Sequence, residues 1–209
     1  MRGPARRERR AEPLSTRLAV VLLAAGVAQR YGSAKQVERI DGISLVRRAA
    51  LAALAVCGEV LVVTGAHSDA VDAALEGLAL QRVKNDDWAL GMGHSIACGF
   101  RALLAQADPA DAALLCLCDQ PRVGAASLQR LIDAHRSALQ KIIVADYGAQ
   151  RGPPCLFPAE FYPELTTLRG DLGARDVLKR HADRVDAIAI PDGAFDVDTP
   201  ADLERLRQL

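Results

Sequence analysis

The stretch "RLAVVLLAAG", residues 17–26, constrains this chain more than any other. It holds a continuous apolar run with paired β-branched valines, stopped by glycine, and it carries no polar alternation. A strand half-exposed to water would alternate, whereas one covered on both faces reads as unbroken hydrophobicity. The run is too short to span a bilayer. The arginine-rich residues before it raise the alternative of a secretory leader, but no A-x-A cleavage site closes the segment, and cleavage would remove the leading strand. Residues 1–17, with six Arg and two Pro, read instead as a basic, disordered extension, and residues 18–209 as one domain.

Buried strands need covering layers, and the rest of the chain supplies them in alternation. "SLVRRAALAALAV" spaces apolar residues as a helix does, with Ser44 placed to cap it. "GEVLVVTG" is a second buried strand and "SDAVDAALEGL" a second helix, which Ser68 is placed to cap. "LQRVKN" follows as a strand, "GHSIACGFRALLAQA" as a helix, "DAALLCLCDQP" as a strand and "ASLQRLIDAHRSAL" as a helix. "KIIVADY" and "PPCLF" read as strands joined through "GAQRG". The chain closes with helical "GARDVLKRHA", strand "RVDAIAI" and a helix from Pro200 to Leu209, where proline suits the first helical position. This order predicts a three-layer α/β fold around a mostly parallel sheet.

Composition narrows the function classes. Lys and Arg balance Asp and Glu at 26 each, so no global field recruits nucleic acid or acidic lipid. Five cysteines without framework spacing suit a reducing cytoplasm. Cys116 and Cys118 would share one strand face as small buried hydrophobes rather than as half of a metal site. The four histidines, His67, His94, His135 and His181, share no metal-ligand spacing.

In parallel sheets, ligands bind beyond the carboxyl ends of the strands. Three polar or glycine-bearing segments stand at such ends here: "AAG" after the first strand, "TGAH" after the second and "DQP" after the fourth. A glycine-bearing loop leaving a buried strand can turn several N–H groups toward one anion, and Arg30 and Lys35 add full charges to it. The loop is neither the dinucleotide fingerprint G-x-G-x-x-G nor a Walker loop. Asp119 closes the hydrophobic "LLCLC", where a carboxylate is more at home as a ligand for a hard cation than as a helix cap. Asp198 is as well suited to capping the last helix. Asp196, two residues earlier, would face the opposite way in an extended segment.

The pattern "L-A-A-G-x-x-x-R-x-G-x-x-K", Leu23 to Lys35, resembles the signature loop of Rossmann-like nucleotidyltransferases. "NDDWALGMGHSIACGF" (85–100), "LLCLCDQPRV" (114–123), "GDLGARDVL" (170–178) and "FDVDTPADL" (195–203) extend the resemblance. Together they look like the molybdenum cofactor cytidylyltransferase branch of the MobA-like NTP transferase family. The resemblance implies transfer of CMP from CTP to the terminal phosphate of molybdopterin, with release of pyrophosphate. It assigns Arg30 and Lys35 to the phosphates. Leu23, Ala24, Ala25, Gly26, Gly93 and Ser95 fall to the nucleotide, and Asp119 and Asp198 to Mg²⁺. It also implies a cytoplasmic enzyme handing its product to a xanthine dehydrogenase-type apoenzyme or its chaperone, with no nucleic acid or membrane partner. Three positions depart from the family pattern: Ala28 where Ser is common, His94 where Thr is usual, and Pro153 where "RGHP" has His. These leave open a sugar phosphate as acceptor, GTP as donor, or a non-catalytic cofactor-binding protein of the same fold.

Overall fold

The computed structural model of the chain describes residues 16–27 and 31–208. In chain order its elements are β1 (Leu18–Ala24), the short pair β2 (Arg39–Ile40) and β3 (Ile43–Ser44), α1 (Leu45–Leu54), β4 (Val60–Thr64) and α2 (Ser68–Ala74). β5 (Gln81–Lys84), α3 (Met92–Leu104), β6 (Ala112–Leu117), α4 (Ala125–Ser137) and β7 (Ile142–Asp146) follow. The remainder is β8 (Arg151–Pro158), α5 (Tyr162–Leu165), α6 (Ala174–Arg180), β9 (Val185–Ala189) and α7 (Pro200–Arg207).

Seven strands form one sheet in the order β5-β4-β1-β6-β8-β7-β9. β1 pairs in parallel with both β4 and β6, and β4 with β5. β8 runs antiparallel between β6 and β7, while β9 is parallel to β7. The sheet is therefore mostly parallel and mixed, as the alternation of elements predicts.

Burial on both faces explains the unbroken apolar run of β1. Ala19, Val21 and Leu23 pack with Ile96, Phe100 and Leu103 of α3 and with residues of α5 and α6. Val20, Leu22 and Ala24 point the other way, against Val46 and Ala50 of α1, Val71 of α2 and Leu128 and Leu131 of α4. Helices thus cover both faces of the sheet, which gives three layers. A smaller cluster of Ile40, Leu45, Val197 and Leu203 binds α7 and the segment before it to the β2–β3 pair. Among the described residues, no helix is long and apolar enough to cross a membrane.

Two expected caps are corrected. Ser44 does cap α1, accepting from the Arg47 N–H. α2, however, starts from His67 without a side-chain cap, and the Ser68 hydroxyl bonds the neighbouring Asp69 carboxylate instead. The last helix is capped by Thr199 rather than Asp198. Thr199 and Asp202 form a reciprocal capping box with Pro200 at the first position. Most of the predicted N-terminal extension lies outside the described residues. Its final residue, Arg17, is anchored to Asp111 through its backbone and to Asp108 and Glu59 through its guanidinium. Cys116 and Cys118 lie on the same face within the α1–α4 layer. Burial pushes the Cys116 thiol up to about 12, and Cys118 moves the same way, so both stay protonated hydrophobes.

Candidate active site

Strand order reverses beside β1: the chain runs outward through β4 and β5, then crosses back to lay β6 on the other side. A switch point of this kind opens a crevice at the carboxyl ends of the two central strands. The cleft there has a volume of about 640 Å³, within the ordinary range for small-molecule sites. Leu23 and Ala24 line it from the end of β1, Ala25 and Gly26 from the segment that follows, and Asp119 from just beyond β6. Ser95 reaches it from the first turn of α3, and Asp198 from the segment before α7.

Each charged group is positioned by local structure. The 3₁₀ turn Lys35–Val37 follows the loop after β1 and carries Lys35 back over the strand ends. Its neighbour Gln36 is buried, and its amide nitrogen donates to the carbonyls of Ala24 and Gly26, clamping the loop from beneath. The Val197 N–H donates to the Asp119 carbonyl at 2.9 Å, which sets residues 195–198 alongside the end of β6. Asp202 accepts from the N–H groups of Asp198 and Thr199 at 3.1 and 2.7 Å, so the capping box of α7 also holds the Asp198 backbone.

The result is a cation between two carboxylates. Lys35 Nζ lies 2.7 Å from Asp119 Oδ2, 3.2 Å from Asp198 Oδ1 and 3.0 Å from the Val197 carbonyl oxygen. The side chains of Lys35 and Asp119 are 12% and 21% exposed, and that of Asp198 is 50% exposed. Desolvation pulls the ammonium pKa down. The Asp119 and Asp198 charges and the Asp119 hydrogen bond outweigh it, leaving Lys35 above the ordinary lysine value. Asp119 Oδ1 is buried with no hydrogen-bond partner among the described residues. Asp196 faces elsewhere: its carboxylate accepts from Gln120 Nε2, which also donates to the Tyr147 hydroxyl. Partial desolvation and the Asp119 charge raise Asp196 above the usual carboxylate value.

Gly93, expected at the nucleotide, stands in the first turn of α3 with its N–H donated to the Gly170 carbonyl at 2.8 Å. A Cβ there would lie within 2.8 Å of Arg169 and Leu172 backbone atoms. Gly91, two residues earlier, lines the cleft at φ +110°. Arg30, predicted to serve the phosphates, lies outside the described residues, as does the departure at Ala28. His94, another departure, accepts the Gly170 N–H on Nδ1 and helps fasten the 169–172 loop over the start of α3.

Sequence reasoning missed Gln36, Trp88, Met92 and Asp171, all of which line the cleft. Two signals were available: Trp88 is the only tryptophan, and Gln36 directly follows the signature lysine. Asp171 arrives only because its loop docks on Gly91, a contact that no local pattern announces.

Comparison with known proteins follows the same outline. The family described as MobA-like NTP transferase domain matches residues 20–185. The chain is 35% identical over 196 residues to nicotine blue oxidoreductase from Paenarthrobacter nicotinovorans, covering 89% of this chain and 94% of that protein. The crystal structure of Rv0371c from Mycobacterium tuberculosis H37Rv superposes with a TM-score of 0.78 at 28% identity, covering 93% of this chain and 99% of that one. A structure of Rv0371C in complex with manganese aligns at 28% identity with a TM-score of 0.70, covering 92% and 99% of the two chains.

Proposed function

This chain belongs to the MobA-like NTP transferase domain family, and from that premise we propose that it moves CMP from CTP to the terminal phosphate of molybdopterin, releasing pyrophosphate. The reaction would run in the cytoplasm, with the product passed to an apo-hydroxylase of the xanthine dehydrogenase type. The observation that carries the reading is the Lys35–Asp119–Asp198 cluster, which lines the same cleft as Leu23, Ala24, Ala25 and Gly26 at the end of β1.

The residues present fit a hard divalent cation. Asp119 offers a buried Oδ1 without a partner among the described residues, and Asp198 stands half-exposed beside it. Two carboxylates suffice for Mg²⁺, which keeps several of its waters. Bound there, the ion would supply positive charge to the triphosphate. Lys35 meets the charge that builds on the non-bridging oxygens of the α-phosphate with a compact ammonium. Arg30 adds a planar fork for a second phosphate contact. The backbone of Ala25 and Gly26 holds the phosphates, Leu23 and Ala24 flank the nucleotide, and Ser95 reaches its base. Fixed charges facing the transferring group need no rearrangement during reaction.

The test is pyrophosphate release from CTP, GTP and ATP, each offered with molybdopterin or with a panel of sugar phosphates. Release that requires both CTP and molybdopterin is the expected result. Release with another pair reassigns the substrates, and none with any pair argues for a binding protein.

The name of the Paenarthrobacter relative favours a second reading, in which the same cleft serves an oxidoreductase. Loss of reduced-nicotinamide absorbance from NADH or NADPH with nicotine blue would support it. The absence of a G-x-G-x-x-G fingerprint weighs against it.

A further inference from the structure

Two hydrogen bonds hold the 169–172 loop on the first turn of α3, and they grip the same residue. The Gly170 carbonyl accepts the Gly93 N–H at 2.8 Å, and the Gly170 N–H donates to His94 Nδ1 at 3.1 Å. The first bond is backbone to backbone, so the side-chain hold is His94. The same loop brings Asp171 to the cleft, where a Cβ on Gly91 would meet its Oδ1 at 2.9 Å. A ring nitrogen accepts only while it carries no proton. His94 therefore holds the loop as the neutral imidazole with its hydrogen on Nε2, and a protonated ring would set one N–H against another.

The charges around His94 are engaged elsewhere. In the loop, the Arg169 guanidinium donates to the Thr166 and Leu168 carbonyls. Arg101, the one arginine of α3, donates to the Ala97 carbonyl. Of the elements packed on α3, β5 brings Arg82 and Lys84, paired with Asp72 and Asp86, and α5 brings Glu164, paired with Arg180 and His181.

We infer that His94 is a positioning residue: as the neutral imidazole it latches the 169–172 loop, and with it Asp171, against the cleft, and its protonation releases that wall. The latch stands on its own geometry; the choice of CTP as the ligand that feels it rests on the nucleotidyltransferase reading above. A ligand that needs the wall in place binds in proportion to the latched fraction, so its affinity should fall with pH.

His94→Asn is the decisive variant. Its Oδ1 takes the place of Nδ1 and accepts the Gly170 N–H, but an amide does not titrate. His94→Ala removes the acceptor at every pH. Pulsed deuterium labelling of the Gly170 amide, with no nucleotide present, reads the latch at about pH 5 and pH 8, the limits of the histidine range. Comparison with His94→Asn at each pH cancels the intrinsic pH dependence of exchange. Relative to that variant, wild type should be equally protected at the alkaline limit and about tenfold less protected at the acid one, the worth of one hydrogen bond. His94→Ala should be unprotected at both. Titration calorimetry with CTP and Mg²⁺ should show the same pattern, and in pyrophosphate release the loss should fall on KM and leave kcat unchanged. A His94→Asn protein that loses protection in acid as wild type does, a His94→Ala protein that keeps it, or a CTP affinity indifferent to both substitutions overturns the inference alone. A wild-type protein that binds no nucleotide at either pH overturns the functional reading, and Gly170 protection still decides the latch.

Discussion

Replacing Asp119 with Asn removes one charge and almost no volume. Lys35 Nζ loses its ionic partner at 2.7 Å but keeps the Val197 carbonyl at 3.0 Å and Asp198 Oδ1 at 3.2 Å. An amide oxygen still accepts. The stability cost is therefore the gap between a hydrogen bond to a charged group and one to a neutral group, about 1 kcal/mol. Both side chains are mostly shielded, so solvent screening discounts little of it. In a chain of this length, a loss of that size lowers Tm by about 2–4 °C. Turnover should fall much further, about 10²–10³-fold, because under the proposed reaction the lost charge would belong to the preorganised field around the transferring phosphate. The alkaline limb of the melting curve should change too. A folded-state pKa raised above 10.5 contributes stability that is present below pH 10.5 and lost as the ammonium deprotonates, so the variant should show a shallower loss there. Pyrophosphate release and thermal melts on the same preparation check both halves. Turnover within a few-fold of wild type, or a variant that no longer folds, would refute the reasoning.

Two further perturbations probe the frame around the site. Gly65→Ala would place a Cβ 2.6 Å from the Ala25 carbonyl oxygen and 2.8 Å from Trp88 Cβ. Overpacking of this kind costs about 1–3 kcal/mol and displaces two cleft-lining residues, so KM for the nucleotide should rise as Tm falls; an unchanged KM contradicts it. Asp202, held down to about 2 chiefly by the Thr199 side chain, contributes stability that is complete above its ordinary 3.8 and lost as pH falls through the folded value. Asp202→Asn should therefore flatten the acid limb of a pH–stability curve, and an unaltered limb would exclude the assignment.

How much of this was legible beforehand depended on whether the signal was local. β1, β4 and β6 announced themselves because burial on both faces leaves no polar alternation, and their parallel pairing follows from the helices between them. β8 begins at Arg151, before the apolar "PPCLF", because its antiparallel pairing with β7 extends over the polar turn end. The β2–β3 pair and α5 are too short to carry a period, at two residues per strand and four in the helix. Lys35, Asp119 and Asp198 could be picked out because each stands in a compact motif. Their meeting depends on residues far apart in the chain: Val197 bonded to Asp119, and Thr199 with Asp202 turning the backbone. Asp171 and the docking of the 169–172 loop on Gly91 were invisible for the same reason.

Transfer of a nucleotidyl group in the cleft is tested most directly by the mass of the product. Incubation with CTP, Mg²⁺ and molybdopterin should yield a pterin heavier by one CMP residue, together with free pyrophosphate, and neither should form when CTP or the pterin is omitted. A pterin of unchanged mass after incubation with the folded protein would contradict it.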